Sequence, residues 1–245
     1  MGKIWEVCGR LVESGERVRV TIDGEKIQEV VPMACDSSPY DQSAEQDEVW
    51  IAPGLIDLQI NGFAGYDLNL ADASVEERAV AVRNMTRKVL ESGVTSFCPT
   101  IITASYEQIR AGMEAVRLAC ETDPLVNRTV LGIHLEGPYL SEEDGPRGAH
   151  PRESIKDPDW REFVSWQEAA DGRIRIVTLA PERAGAIEII KRLTEAGIIV
   201  CIGHTAATHE EILQAAEAGA KMSTHLGHGA HPLLPRHPNY IWSQL

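Results

Sequence analysis

The stretch EAGIIVCIGHT, residues 195–205, holds the pattern that decides the fold: a helix end, a glycine, an apolar strand and a histidine. The helix end with its glycine recurs at Glu91-Ser92-Gly93 and Glu217-Ala218-Gly219, each time before another short apolar run. Helices that alternate with buried strands in this way are typical of a parallel barrel built from βα units. We therefore predict an α/β fold, a (β/α)₈ TIM-type barrel, over residues 51–245.

Capping signals place the barrel helices between these strands. Three pairs have the spacing of capping boxes and precede apolar residues at helical intervals: Ser74 with Glu77, Ser105 with Gln108, and Thr208 with Glu211. Short apolar runs predict six barrel strands, at residues 54–60, 94–102, 129–135, 174–179, 198–202 and 220–226. Because such a barrel has eight strands, we expect an incomplete barrel that ends before its last strands, at the start of a helix near residue 242.

Residues 1–50 have a different pattern and are predicted to form a separate small module. Residues 17–22 alternate at period two, Asp23-Gly24 is a turn signal, and residues 26–31 form a return strand. We predict that this module is the N-terminal part of a small β-sandwich. A polar linker at residues 37–48 would join it to the barrel.

Composition and charge narrow the possible functions. The chain has 245 residues, of which 43% are hydrophobic, and a formal net charge of -14. Binding to a nucleic-acid backbone requires a basic surface, and neither a membrane span nor a signal peptide is evident. The five cysteines include no C-x-x-C pair, which indicates reduced thiols. We expect a cytoplasmic protein that binds neither nucleic acid nor membrane.

Three side chains with metal-ligand chemistry come at the ends of predicted strands. They are Glu136, His204 and His225. The carboxyl ends of parallel barrel strands form the rim on which active sites are built. Two imidazoles and one carboxylate with an open fourth position form a catalytic zinc set. The sequence therefore predicts a divalent metal site, with zinc favoured and iron, cobalt or manganese as alternatives.

Other residues have structural interpretations. His134 precedes Glu136 by two positions, so its side chain lies on the same side of the strand, and we expect it to hydrogen-bond behind the metal site. His231 is predicted to lie on the surface or in a substrate loop. Trp160 and Trp166 are predicted to be packing anchors in a connecting segment.

An ordered set of motifs resembles one family. In chain order the motifs are PGLIDLQING at 53–62, GVTSFCPT at 93–100, HLEGPY at 134–139, LAPE at 179–182, GHT at 203–205 and THL at 224–226. From about residue 50 to 245 the chain resembles N-acetylglucosamine-6-phosphate deacetylases of the amidohydrolase superfamily. The order of the set is more specific than any single motif.

The resemblance implies a reaction and a set of site residues. The complete enzyme would use a divalent metal to hydrolyse the amide of N-acetylglucosamine-6-phosphate, giving glucosamine-6-phosphate and acetate. It would be a homodimer with an amino-sugar phosphate as its small-molecule substrate. The residues implied are Glu136, His204 and His225 for the metal, His150 for the acyl group, His228 and Gly229 for the sugar, and Arg236 for the phosphate.

Three departures from the family pattern modify these expectations. Gln59 and Asn61 replace the His-x-His pair that holds a second metal in many amidohydrolases, which favours one metal ion. His228-Gly229 stands where the family has Asn-Ala. The aspartate that the family uses as general acid and base lies on a later strand than any predicted here, so we expect this chain alone not to turn over substrate.

Two alternatives remain open on the sequence. One is another amidohydrolase, dihydroorotase-like or aminoacylase-like, although these usually carry the His-x-His pair or a bridging lysine. The other is a catalytically silent protein that binds metal or serves assembly.

Overall fold

The computed structural model describes residues 4–33 and 49–245 and divides the chain into two compact units, Met1–Gly54 and Leu55–Leu245. The division falls a few residues after the domain boundary predicted at residue 50. The predicted linker at residues 37–48 and Cys35 lie outside the described residues.

The first unit contains one four-stranded sheet with the order β3-β2-β1-β4. Its strands are β1 (Ile4–Leu11), β2 (Arg17–Asp23), β3 (Lys26–Pro32) and β4 (Trp50–Ile51). The antiparallel pair β2 and β3 closes through a turn at Gly24, whose φ of 61° suits glycine, so the predicted hairpin is present. In the described part of this unit there is a single sheet, and the second layer of the predicted sandwich is not among these residues.

The second unit is built on a parallel sheet of six strands in sequential order. These strands are β5 (Leu55–Ile60), β8 (Val94–Ile102), β9 (Ile133–Glu136), β10 (Ile174–Leu179), β11 (Ile199–Ile202) and β12 (Met222–Ser223). Two short strands, β6 (Gly62–Phe63) and β7 (Tyr66–Asp67), form a hairpin after β5. Neighbouring parallel strands in chain order are the arrangement of a TIM-type barrel, here an incomplete one.

Helices connect these strands. They are α1 (Val75–Glu91), α2 (Tyr106–Thr122), α3 (Pro124–Thr129), α4 (Trp160–Ala169), α5 (Ala186–Glu195) and α6 (His209–Ala218). All three predicted capping boxes form, at α1, α2 and α6. A reciprocal pair of side-chain hydrogen bonds satisfies backbone N–H groups that the first helical turn leaves free.

Two sequence predictions about elements are wrong. The strand expected from residue 129 begins only at Ile133, because Asp123 caps α3 through a hydrogen bond from the Leu125 N–H and Pro124 occupies the first turn. The connecting segment with Trp160 and Trp166 contains helix α4, capped by Asp159. The strand expected at residues 220–226 is also shorter and ends at Ser223.

The core lies between the sheet and its helices. Phe97, Leu135 and Val200 from the strands and Met113 from α2 are buried among apolar neighbours. Trp166 is fully buried, stacks on Tyr106 and donates its indole N–H to the Tyr106 carbonyl at 3.2 Å. Each such large apolar side chain contributes roughly 1.5–3 kcal/mol through burial.

The buried cysteines behave as small apolar side chains. Cys98 and Cys201 pack with Ile176 in a separate buried cluster. Burial raises the pKa of both thiols to about 11, so they stay protonated near neutral pH. Within residues 4–33 and 49–245, none of the helices is both long and apolar enough to cross a membrane.

Candidate metal centre

Three side chains converge at the carboxyl ends of the barrel strands. Glu136 is the last residue of β9, and His204 and His225 each follow the end of a strand by two residues. The Nε2 atoms of His204 and His225 lie 3.1 and 2.9 Å from the same oxygen of Glu136, and the three ligand atoms lie within 4.8 Å of one another. The structure thus brings together the three residues that the sequence analysis selected as metal ligands.

Both histidines have left-handed backbone conformations, with φ of 51° at His204 and 53° at His225. A positive φ is uncommon for residues other than glycine, although histidine, asparagine and aspartate adopt it more often than most. The conformation turns the chain out of the sheet immediately after the strand. At His204 it is held by the Ser141 N–H, which donates to the His204 carbonyl at 2.9 Å.

The hydrogen bonds of His204 direct one nitrogen toward Glu136. Its Nδ1 lies 2.8 Å from the Pro146 carbonyl, which only accepts, so Nδ1 carries the proton and donates. When Nε2 is unprotonated, as metal binding requires, its lone pair faces the ligand cluster. A histidine whose second nitrogen donates to a backbone carbonyl is the usual metal-ligand arrangement.

The charge state of the cluster suits a cation. Burial alone would raise the pKa of Glu136, but its interactions with His204 and His225 outweigh burial and hold that pKa well below its ordinary value. The contact with Glu136 raises the pKa of His225. An ionised carboxylate that faces two imidazole nitrogens in a buried position is a donor set for a divalent ion.

His150 lies beside the cluster. Its Nε2 is 3.3 Å from Nε2 of His204, and the rings meet edge to face with centroids 4.4 Å apart. Burial and the neighbouring His204 lower the pKa of His150 to about 4, so the ring is neutral near pH 7. Among the described residues its buried Nδ1 has no hydrogen-bond partner. The proton is therefore assigned to Nε2, which faces the cluster.

A cavity of about 220 Å³ opens at these residues. Its lining comprises Asn61, Ile102, Glu136, Ala149, His150, His204 and His225. Asn61 thus faces the cavity, while the Gln59 amide nitrogen lies 3.2 Å from Nε2 of His225. Amides are weak zinc ligands compared with imidazole and carboxylate. Gln59 and Asn61, where many amidohydrolases have the histidines of a second metal, therefore lie close to the cluster but carry amides in place of imidazoles.

Of the residues expected to bind the sugar and phosphate, one lies against the ligand cluster and two are exposed to solvent. Gly229 contacts the ring of His204, since a Cβ built on it would lie 2.8 Å from Nδ1. His228 and Arg236 are solvent-exposed, and neither belongs to the lining of the 220 Å³ cavity. The Arg236 carbonyl accepts a hydrogen bond from the Asn239 side chain at 3.3 Å, which keeps the backbone here in a turn.

A buried polar network behind the cluster includes two threonines that the sequence analysis missed. His134 Nδ1 donates to the Leu58 carbonyl at 3.0 Å, and its Nε2 accepts from the Thr178 hydroxyl at 2.7 Å. The Thr224 hydroxyl in turn donates to Thr178 at 2.8 Å. The network links β5, β9 and β10 with the residue before His225. Thr178 directly precedes the LAPE motif and Thr224 is the first residue of the THL motif, and these positions were the available signal.

Glu182 fixes the segment that follows His204. Its two oxygens accept from the Thr205 hydroxyl at 2.5 Å and from the Ala206 N–H at 2.7 Å. Burial raises the pKa of this carboxyl. In the sequence Glu182 was recognisable only as the last residue of the LAPE motif, and no role was predicted for it.

The fold and the cluster of Glu136, His204 and His225 point to the class of metal-dependent hydrolases, and the comparisons identify the family. The model of the amidohydrolase family matches residues 50–233, and the chain belongs to this family. It is similar to the N-terminal portion of N-acetylglucosamine-6-phosphate deacetylases. Identity to the enzyme from Bacillus subtilis is 38% over 211 residues, covering 84% of this chain and 51% of that protein.

Other relatives agree with this match. The Vibrio furnissii N-acetylglucosamine-6-phosphate deacetylase is 32% identical over 223 residues, with 91% of this chain and 50% of that protein covered. The chain therefore spans about half the length of the curated relatives it matches.

Solved structures of these deacetylases have the same fold. The enzyme from Thermotoga maritima matches with a TM-score of 0.77 at 27% identity, covering 98% of this chain and 59% of that chain. An Asp-to-Ala mutant of the enzyme from Mycobacterium smegmatis, in complex with N-acetyl-D-glucosamine-6-phosphate, matches with a TM-score of 0.76 at 26% identity. That match covers 99% of this chain and 60% of the other.

Proposed function

We propose that this chain supplies the metal ligands and the acyl-binding histidine of an N-acetylglucosamine-6-phosphate deacetylase. The observation that carries the proposal is the convergence of Glu136, His204 and His225 on one point, with Nε2 of His150 facing them. The similarity to named deacetylases supplies the substrate class. No observation favours the dihydroorotase-like, aminoacylase-like or catalytically silent alternatives over this one.

The residues present fit one divalent ion. Glu136 offers an ionised oxygen, and His204 offers Nε2 of a ring that is oriented by the hydrogen bond from Nδ1 to Pro146. Two imidazoles and a carboxylate favour zinc, and iron, cobalt and manganese accept the same ligands. Gln59 and Asn61, where other amidohydrolases have histidines, support a single ion.

When bound, the ion would supply Lewis-acid polarisation of the amide carbonyl and activation of a water molecule. The chain's own residues bind and orient the substrate. The neutral His150 holds its proton on Nε2 and can donate a hydrogen bond to the acyl oxygen. Because its pKa is about 4, His150 remains a hydrogen-bond donor and stays uncharged across the neutral range.

Proton transfer needs a group that the described cavity does not contain. Among the residues that line it, the one carboxylate is Glu136, which is committed to the metal ligands. The family resemblance assigns this step to an aspartate of a later strand. A carboxylate so placed would take a proton from water and deliver it to the leaving amine.

The phosphate of the substrate requires a cation on an acidic protein with a net charge of -14. Arg236 is the proposed partner, because a guanidinium can bind phosphate oxygens through two parallel hydrogen bonds. His228 and Gly229 are proposed to face the sugar. A homodimer and a cytoplasmic location remain predictions of the sequence analysis.

Metal analysis and ligand binding test the proposal together. After treatment with chelator and reloading with zinc, we expect one ion per chain, and no tightly held ion in His204→Ala. Calorimetry should then show binding of N-acetylglucosamine-6-phosphate that requires the ion, and the full-length enzyme should release acetate from it. Two tightly held ions per chain, or ligand binding that is equal without metal, would contradict the proposal.

A further inference from the structure

Two loops contact the imidazole ring of His204. The first, called the His150 loop, spans residues 141–150, and the second, called the 226–241 loop, follows His225. In the His150 loop the Pro146 carbonyl accepts a hydrogen bond from His204 Nδ1, and a Cβ built on Gly148 would lie 3.4 Å from Cε1 of His204. The 226–241 loop brings Gly229 against the same ring, where a Cβ would lie 2.8 Å from Nδ1. Backbone from both loops therefore fixes the imidazole.

A group of three side chains joins these loops. His231 Nε2 lies 3.0 Å from a carboxylate oxygen of Glu143 in the His150 loop. On its other side, His231 Nδ1 lies 3.0 Å from the Tyr240 hydroxyl, which also accepts from the His231 backbone N–H at 2.8 Å. The backbones meet at the same place, since a Cβ on Gly145 would lie 3.0 Å from the Ala230 carbonyl oxygen.

The hydrogen-bond roles within this group are consistent with one another. The Tyr240 oxygen accepts from the backbone N–H, so its own hydrogen is free to donate to Nδ1 of His231. The Nε2–H of His231 donates to Glu143, because a carboxylate oxygen only accepts. Tyr240 is 7% exposed, and its buried hydroxyl therefore orients the His231 ring toward the His150 loop.

Global stability does not account for the contact between the loops. The side chain of Glu143 is 64% exposed, and exposed pairs of this kind contribute about 0–1 kcal/mol. The contact between Glu143 and His231 instead sets the distance between the His150 loop and the 226–241 loop, and both loops touch His204. One of these loops also carries His150.

We propose that Glu143, His231 and Tyr240 form a clasp that holds the His150 loop and the 226–241 loop together around His204 and so positions this metal ligand. The three are positioning residues, because none of them touches the ligand cluster. The effect of the clasp on zinc binding rests on the proposed function, in which His204 is a metal ligand. The clasp itself is a property of the loops and can be measured without metal.

The first measurement is zinc affinity, by competition with a chromophoric chelator. Partners that orient a metal ligand typically change affinity by a factor of about 10 to 100. We expect Tyr240→Phe and Glu143→Ala to raise the Kd for zinc on the order of tenfold. Glu143→Gln keeps an oxygen that accepts from His231 and should retain the wild-type Kd. Glu188→Ala, which removes a carboxylate of the same 64% exposure on α5, is the matched control.

The second measurement is amide hydrogen exchange without metal. Tyr240→Phe and Glu143→Ala should raise exchange in residues 144–150 while α5 keeps its protection. Glu143 is exposed, so its alanine variant folds, and circular dichroism verifies this.

The outcomes separate the clasp from the metal proposal. Unchanged exchange in residues 144–150 overturns the clasp, and so does a zinc Kd within twofold of wild type in both variants. Wild-type protein that takes up no zinc would contradict the metal centre, and the exchange result would then decide the clasp alone.

Discussion

At position 229 a side chain of any size would collide with a metal-ligand imidazole. Gly229 has a φ of 54°, and a Cβ there would lie 2.8 Å from Nδ1 of His204. Gly172 has a similarly positive φ of 73°, but a Cβ there would meet nothing within 4 Å. Substitutions at Gly229 and Gly172 can therefore distinguish the effect of backbone strain from the effect of contact with the site.

We expect Gly229→Ala and Gly172→Ala to lose about 1–2 kcal/mol of unfolding free energy each through left-handed backbone strain. Only Gly229→Ala should also weaken zinc binding, because only there does the new methyl group displace His204. Urea denaturation and chelator competition measure the two effects. Equal zinc affinities in the two variants would contradict the conclusion that glycine is needed at position 229 because the backbone lies so close to the His204 ring.

A second residue-scale prediction concerns Arg236. In a protein that also carries the later barrel strands of this family, Arg236→Ala should weaken turnover of the 6-phosphate substrate by roughly 1.5–3 kcal/mol, the scale of a hydrogen bond to a charged group. Activity on the unphosphorylated sugar should change little. Arg161→Ala, in an exposed position on α4, controls for the loss of one positive charge. If both substrates lose activity equally, or neither does, Arg236 is not the phosphate partner.

The buried carboxyl group of Glu182, in the segment after β10, holds the segment after β11 in place. Glu182 accepts hydrogen bonds from Thr205 and Ala206, directly after His204. Burial raises its pKa above the ordinary value of 4.5. As pH rises through 4.5, the unfolded chain releases this proton while the folded protein retains it, so the folded state binds more protons. Stability from this group is therefore present below pH 4.5 and is lost as pH rises through the folded pKa.

The direction of this pKa shift predicts how the unfolding free energy changes with pH. Relative to Glu182→Gln, which cannot ionise, the unfolding free energy of the wild type should fall as pH rises through that window. Urea denaturation at a series of pH values measures the difference between the two proteins. Glu188→Gln, in α5, controls for the loss of one negative charge and should not reproduce the effect. A difference that is constant with pH would refute the role of burial at Glu182.

Elements marked by local signals were predictable, and those that depend on distant contacts were not. The capping boxes at Ser74, Ser105 and Thr208 formed because both partners lie within one helical turn. By contrast, apolar residues from 129 onward suggested a strand, but pairing starts only at Ile133. Just before it, Gly132 packs against Arg175 so closely that a Cβ would lie 2.2 Å from Arg175 Cγ.

The same distinction applies to the site. Glu136, His204 and His225 were identifiable because each comes at or just after the end of an apolar strand, where parallel strands converge. The link among Glu143, His231 and Tyr240 was not, because it depends on how two loops meet. His231 was therefore predicted only as a surface or substrate-loop residue.

At the scale of the whole molecule, metal binding should be linked to folding. The proposed ligands lie at or just after the ends of three strands that are distant in the chain, and a site of this kind does not exist in the unfolded protein. At a free zinc concentration of about 100 times Kd, linkage predicts roughly 2.7 kcal/mol of added stability. Thermal denaturation with zinc and with chelator measures it, and Glu136→Gln should remove the difference. A melting temperature that is independent of zinc in the wild type would contradict a preformed site.

The left-handed backbone at His204 and His225 also limits which other amino acids these positions can accept. Aspartate and asparagine tolerate that conformation, whereas β-branched residues do not. An exchange of His225 for aspartate is thus compatible with the existing backbone, and it would give a ligand set with more oxygen than nitrogen. Oxygen ligands suit manganese and magnesium better than zinc. The backbone that holds the histidines therefore also makes this site a starting point for redesigning its metal preference.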